Sequence, residues 1–354
     1  MLAQSSRGEG YTVTNTPLLS IGDVVVRFAM PYGMADRLLG RPRLAVHALN
    51  AVKLDVRRGE TLGIVGESGC GKSTLARAVV RLAALHDGRI CFEGEDIGTL
   101  NGSKLRAYNR RVQMVFQDPY GSLNPRMTVR QVLTEALSVH RMRPTAAIPT
   151  RVAELLNLVR LPADAADRLP HQFSGGQRQR VGIARALAVE PDVLVADEIV
   201  SALDVSVQAQ VVNLLLELQE KLALTVLFVA HDLRLVRHIS HRVAVMYLGS
   251  VLEMGDTEEL FTAPRHPYTR ALLDAAPTLD PGRMPATAPA RGELPSPLQL
   301  PSGCPFHTRC PHVFDRCRTE RPALTARGPA HEAACHLFDF GIPKHLGDDH
   351  AKPA

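Results

Sequence analysis

Residues 66 to 74 read GESGCGKST, three glycines and then a lysine followed by two hydroxyl residues. The pattern G-x-x-x-x-G-K-[ST] runs from Gly66 to Ser73, and those residue types suit the grip of a phosphate chain. Glycines at Gly66, Gly69 and Gly71, interleaved with Glu67, Ser68 and Cys70, let backbone N–H groups turn inward around phosphate oxygens. A helix beginning near Gly71 adds its positive end at the same point. Lys72 would then reach the β and γ phosphates, while Ser73 and Thr74 place hydroxyls at the helix start, that of Ser73 toward Mg²⁺. Cys70 sits where a helix N-terminus can lower a thiol's pKa, and its expected part is that of a small filler.

Further on, VLVADEIVSALDVS places Asp197 at the end of an apolar strand, where a carboxylate can hold Mg²⁺ through water beside the phosphate loop. Glu198 follows directly and points elsewhere, into the space of an attacking water, as a candidate general base. Between these two stretches lies QFSGGQRQRVGIARAL, in which Ser174, Gly175 and Gly176, with Gln177 behind them, open a second helix. Its N-terminus is a second anion cradle. One nucleotide does not need two cradles, so the second is expected to serve a neighbour's nucleotide. Two such domains would then stack head to tail with two ATP molecules between them.

Those residues need strands to present them and helices to receive them. Short apolar runs recur at VVVRF, TLGIVG, RVQMVFQ, VLVADE and TVLFVAHD, separated by segments of helical spacing such as KSTLARAVVRLAAL and VQAQVVNLLLELQEKL. The alternation predicts an α/β fold around a largely parallel sheet buried on both faces. With 354 residues, 45% of them hydrophobic and 22% charged, the chain can fill one large domain plus an extension. The net charge of +5, from 41 basic and 36 acidic residues, is scattered, so nucleic acid is not indicated as a partner. No apolar run approaches the roughly 18 to 20 residues that cross a bilayer, and MLAQSSRGEG lacks the regions of a signal peptide. Beyond residue 276 the proline-rich text predicts a linker or extended arm.

Taken together, GESGCGKST, VFQDPYGSLNPR, FSGGQRQR, VADEIVSALD and VLFVAHD resemble the nucleotide-binding subunit of ABC transporters. The resemblance implies a P-loop ATPase with a RecA-like mixed sheet, an antiparallel β subdomain and an α-helical subdomain. It implies that Gln117 senses Mg²⁺ and the γ phosphate, that His231 touches the γ phosphate, and that the loop Ser201, Ala202, Leu203 and Asp204 crosses a dimer interface. Phe28, at the end of the first strand, is the aromatic residue expected to stack on adenine, with Tyr32 close by. QDPYGSLNPR, APRHPYTRALL and the late cysteines narrow the resemblance to oligopeptide and dipeptide importer ATPases, most like the F-type subunit of a D-type and F-type pair. Expected divisions are a tail over 1–19, the ATPase over 20–260 with its helical subdomain at about 118–185, a C-terminal extension over 261–340 and a tail over 341–354. The implied partners are a D-type ATPase subunit, two permeases and an extracytoplasmic binding protein, at the cytoplasmic face of the membrane. In one place the chain departs from the family. Ile199 and Val200 stand where Pro and Thr usually follow the glutamate, which puts the placement of Glu198 and Asp204 in question.

Four cysteines, Cys304, Cys310, Cys317 and Cys335, gather late in the chain, and without an export signal disulfides are not expected. Four thiolates can bind zinc or an iron–sulfur cluster, and intervals of five, six and seventeen residues match neither the short zinc-finger pairs nor the ferredoxin run. By resemblance to the peptide importer ATPases, the group implied is a 4Fe-4S cluster with a structural role. Other readings are a nickel or small-solute importer of the same family, a soluble ABC-type ATPase outside transport, and a non-hydrolysing regulatory subunit.

Overall fold

The computed structural model describes residues 17–33, 37–38, 40, 43–118, 121–275, 293–328 and 330–340. Five apolar runs form the parallel centre of an eight-stranded sheet: β3 (Thr61–Val65), β6 (Val112–Val115), β7 (Val193–Asp197), β8 (Thr225–Val229) and β9 (Arg242–Tyr247). Their order is β9-β3-β8-β7-β6, each neighbour paired in parallel. Successive residues on these strands feed opposite faces, as the two-residue repeat of a pleated strand requires. Leu62, Ile64, Val193, Val195, Leu227 and Val229 enter one core, while Leu194, Ala196, Val226 and Phe228 enter the other.

The first core is closed by α1 (Lys72–Val79), through Leu75, Ala76 and Val79, and by a separate four-stranded antiparallel sheet of order β2-β1-β4-β5. That sheet comprises β1 (Leu19–Ala29), β2 (Ala45–Val56), β4 (Asp87–Phe92) and β5 (Glu95–Asp96). The run VVVRF therefore belongs to it and not to the parallel sheet. Between β5 and β6 comes α2 (Gly102–Arg111). The second core takes in α3 (Val129–Val139), α4 (Ile148–Leu158), α5 (Gly175–Leu187), α6 (Val205–Leu222) and α7 (Leu233–Ile239).

The sheet is less uniformly parallel than the sequence predicts. β10 (Ser250–Asp256) turns back against β9, and β11 (Thr325–Gly328) and β12 (His331–Ala333) continue the antiparallel edge from the far end of the chain. Two helices, α8 (Thr257–Thr262) and α9 (Pro267–Ala275), follow β10, and α10 (Asp315–Thr319) precedes β11. Cys304, Phe306, Cys317 and Ala334 of the C-terminal extension are buried in the second core, so the extension is packed into the ATP-motif region. Most of the proline-rich stretch expected to form a linker, with both expected tails save residues 17–19, lies outside the described residues.

Candidate active site

The phosphate loop leaves β3 and enters α1 in a shape only glycine tolerates at two points. Gly66 has φ +152° and Gly71 has φ +105°, and a Cβ would stand 2.1 Å from the Met246 carbonyl oxygen at the first and 2.4 Å from that of Ala48 at the second. β9 and β2 thus press the loop from below. Lys72 is buried, and its Nζ donates to the carbonyls of Gly66 at 2.8 Å and Glu67 at 3.2 Å, closing the loop on itself. Ser68 and Gly69 are exposed at the tip, and Thr74 is half-buried in the first turn of α1. Cys70 is buried, and burial pushes its thiol above the usual range, as suits a packing residue.

Two oxygens stand ready for a hard cation. The Ser73 hydroxyl donates to Asp197 Oδ1 at 2.8 Å, and Asp197 closes β7 with its side chain buried. Burial pushes the Asp197 carboxyl above the ordinary aspartate range, against the Ser73 hydrogen bond and with help from the Glu198 charge. A carboxylate so placed gains from a divalent cation, and oxygen donors are what Mg²⁺ takes, with the substrate's phosphates filling the rest of its shell.

Glu198 sits in the left-handed region at φ +47°, and its amide donates to the Val229 carbonyl at 3.0 Å. Its Oε2 accepts from Gln117 Nε2 at 2.8 Å, and its Oε1 lies 3.9 Å from Lys72 Nζ. Gln117, just past β6, therefore meets Glu198 directly. His231, past the end of β8, is exposed and lines a cavity of about 330 Å³ with Gly66, Asp232, Leu233, Arg234, Leu272 and Ala275. Ile199 and Val200, the departure noted above, are both buried in the second core. The loop after Glu198 is held by other means. The Ser201 hydroxyl donates to the Glu198 carbonyl at 2.9 Å, and Gln208 Nε2 donates to the carbonyls of Val200 and Leu203, each at 3.0 Å.

At the head of α5, Ser174 and Gln177 form a reciprocal cap: Ser174 Oγ accepts from the Gln177 amide at 3.3 Å, and Gln177 Oε1 accepts from the Ser174 amide at 3.0 Å. Gly176 is glycine because a Cβ would stand 2.3 Å from Val207 Cγ1, and at Gly175 it would stand 3.0 Å from Leu203 Cδ2. Ser174, Gly175 and Gly176 line a cavity of about 460 Å³ with Gln117, Asp118, Ala202, Leu203, Asp204 and Val207. Asp204 and Val205, at the start of α6, face solvent. Phe28 is 48% exposed near the end of β1, opposite Val46, so it is not a core residue. Tyr32 is engaged by Arg43, whose guanidinium lies 5.2 Å from its ring centre.

All four late cysteines are free thiols. Burial pushes Cys304 up to about 11 and Cys310 and Cys335 up to about 12, and the other thiols raise each of the three further. Two of the four are joined through the backbone, the Cys304 amide donating to the Cys317 carbonyl at 2.8 Å. Among the described residues, however, no group of three or more His, Cys, Asp or Glu is arranged to hold a metal ion. The donor types suit a metal centre, and their arrangement does not form a ligand set.

Sequence reasoning missed Tyr268 and Arg309, which reach the loop from the C-terminal part: the Glu67 amide donates to Tyr268 Oη at 2.9 Å, and Arg309 pairs with the Glu67 carboxylate. It also missed Gln179, whose Nε2 donates to the Phe116 carbonyl at 3.4 Å and so ties α5 to the residue before Gln117. No spacing rule marks contacts between segments so far apart in the chain.

Comparison with known proteins places this architecture. Residues 49–201 match the family model described as ABC transporter, and residues 252–317 match the one described as oligopeptide/dipeptide transporter, C-terminal region. The chain is 51% identical over 301 residues to a probable peptide ABC transporter ATP-binding protein, y4tS, of Sinorhizobium fredii, covering 85% of each chain. It is 48% identical over 324 residues to the oligopeptide transport ATP-binding protein AppF of Bacillus subtilis, covering 91% of this chain and 97% of that one. Among solved structures, cbiO1 of Clostridium perfringens, part of the cbiONQ transporter complex, is similar with a TM-score of 0.59 and 28% identity over 70% of this chain and 91% of that one. The dimeric, ADP- and phosphate-bound cassette MJ0796 is similar with a TM-score of 0.58 and 28% identity over 68% of this chain and 98% of that one.

Proposed function

Because the chain belongs to the ATP-binding proteins of ABC transporters and is an ATPase of that family, we propose that it powers import of oligopeptides or dipeptides as one half of an ATP-sandwich dimer. The observation that carries the reading is the pair of phosphate-ready helix starts, Lys72 and the loop at α1 and Ser174 to Gly176 at α5; Gly66 of the loop lines one cavity and Ser174 to Gly176 line another. In the pair, the loop of one subunit and the capped serine of the other enclose the same triphosphate. That the similar cassette MJ0796 is dimeric and bound to ADP and phosphate supports pairing by analogy.

Within each site, Lys72 swings from the loop carbonyls to the β and γ phosphates, and the amides of Gly69 to Thr74 turn toward the phosphate oxygens. Mg²⁺ held at Ser73, Asp197 and Gln117 would neutralise charge on those phosphates. Glu198 takes a proton from the attacking water, released from its bond to Gln117 as that residue turns to the nucleotide. His231 donates to the γ phosphate, Phe28 stacks on adenine, and Asp204 meets the partner across the interface. The energy comes from the different affinities of the closed pair for ATP and for ADP.

A groove of about 370 Å³ beside Phe116 supports the link to a permease. It is lined in part by Val80, Leu82, Met114, Val132 and Val139, and Leu82 and Val139 are 62% and 71% exposed. A coupling helix seated there would push on Phe116 and so on Gln117. Among the described residues no helix is long and apolar enough to cross a membrane; attachment through two permeases is part of the proposal. The other partners proposed are a D-type ATPase subunit and an extracytoplasmic binding protein. The four thiols of Cys304, Cys310, Cys317 and Cys335 are of the donor type an iron–sulfur cluster takes, although among the described residues they do not form a ligand set; absence of iron and sulfide from anaerobically purified protein would remove the cluster from the proposal. The function itself is tested by ATPase activity of the reconstituted complex with its binding protein and a panel of peptides and nickel chelates. Stimulation by peptides is expected, and stimulation by chelates alone would reassign the cargo. Failure to co-purify with permeases would end the transport reading.

A further inference from the structure

Glu67, the second residue of the phosphate loop, is an acid beside the place where a polyphosphate binds, and an unscreened carboxylate there repels the ligand. It is not unscreened. Both its oxygens accept from Arg309 Nη1, at 3.0 and 2.8 Å, although Arg309 lies 242 residues away and only 10% of its side chain is exposed. The guanidinium rests 5.9 Å from the centre of the Tyr247 ring. Tyr247, Tyr268 and Phe306 pack against one another at centroid distances of 4.7, 5.4 and 5.3 Å, all fully buried. Tyr247 ends β9 one residue after the Met246 carbonyl that sits under Gly66. Tyr268 Oη holds the Glu67 amide, so the acid is fixed at backbone and side chain by the same platform.

We propose that Arg309 is a positioning residue for ATP binding: from the C-terminal extension it neutralises Glu67 and fixes the phosphate loop on the Tyr247–Tyr268–Phe306 platform. The inference rests on ATP binding at this loop, as proposed above. Without Arg309 the carboxylate is released toward the phosphates, and the loop loses its outer tether. With Glu67 made neutral, the need for Arg309 is largely gone.

The test is titration of the full-length chain with ATP and Mg²⁺, beside melting curves without nucleotide and turnover at saturating ATP. R309A should weaken ATP binding about tenfold while kcat at saturation changes little; its nucleotide-free melting temperature should fall, because a largely buried guanidinium is lost from its partner, and that fall should not by itself account for the binding loss. R309K, which keeps the charge but not the planar guanidinium that meets both Glu67 oxygens and lies over Tyr247, should recover only part of the loss. The double variant E67Q/R309A should recover to within about threefold, which a purely structural role for Arg309 does not predict. R309A binding ATP like the unaltered chain, or E67Q/R309A binding no better than R309A, overturns the proposal. If R309A does not fold, E67Q alone decides: binding at least as tight as the unaltered chain supports the account, and tenfold weaker binding refutes it. K72A in the same titration reports on the site itself, so its loss of binding beside an unchanged R309A sinks the brace and leaves the ATP site standing.

Discussion

Replacing His331 with alanine should detach the C-terminal edge of the sheet, and the structure sets the size of the effect. His331 Nε2 meets Glu253 Oε1 at 2.6 Å with both side chains fully buried, and its Nδ1 lies 3.2 Å from Glu259. The two residues join β12 to β10. Removing one member of a buried pair costs about 3–5 kcal/mol when the other charge is left alone. Here Glu253 keeps the amides of Arg265 at 2.6 Å and His266 at 2.9 Å, which places the loss at the low end, about 3 kcal/mol. For a chain of this size that is a fall in melting temperature of about 5 °C. Burial, the largest single effect, depresses the imidazole, but the bonds and charges of Glu253 and Glu259 together outweigh it and hold His331 above its ordinary value of 6.5. The charged pair's contribution is therefore complete below the unfolded value and fades as pH rises through the raised folded value. Melting curves of H331A and the unaltered chain, at about pH 6 and about pH 8.5, should differ more at the lower pH, with faster proteolysis of the extension in H331A. A difference below about 0.5 kcal/mol at the lower pH, or one that grows with pH, refutes the reasoning.

Two further variants probe the site. F28A removes an exposed ring whose stacking is worth about 0.5–1.5 kcal/mol, so KM for ATP should rise about two- to tenfold with kcat unchanged; an unchanged KM assigns adenine to another residue. G176A forces a Cβ to 2.3 Å from Val207 Cγ1 and should cost about 1–3 kcal/mol in chemical denaturation, recovered by G176A/V207A; no recovery would mean that the contact is not what requires glycine.

The phosphate loop, Asp197, Glu198 and the Ser174 turn were legible because each is a local device: a strand end, a helix start and glycines at fixed offsets. Local spacing also carried the two-faced strands, since residues such as Leu194 and Val195 enter opposite cores. Contacts made across the chain were not legible. The bond from Arg309 to Glu67 and the hydroxyl of Tyr268 depend on how β10 folds back and where β12 joins it, which no periodicity encodes. At Ile199 and Val200 the sequence shows the departure but not their burial or the bonds from Ser201 and Gln208 that hold the loop. The cysteines illustrate the reverse: their gathering is plain in the text, but among the described residues they do not form a metal-binding arrangement.

The most direct measurement is the mass of the ATPase assembly with ATP and Mg²⁺ in E198Q and in E198Q/S174A, prepared with the partner ATPase subunit and alone. The account predicts that E198Q binds ATP, hydrolyses it at least 10²-fold more slowly, and accumulates as a closed pair that E198Q/S174A fails to form. Full hydrolysis by a lone monomer, at a rate independent of protein concentration and untouched by S174A, would contradict it.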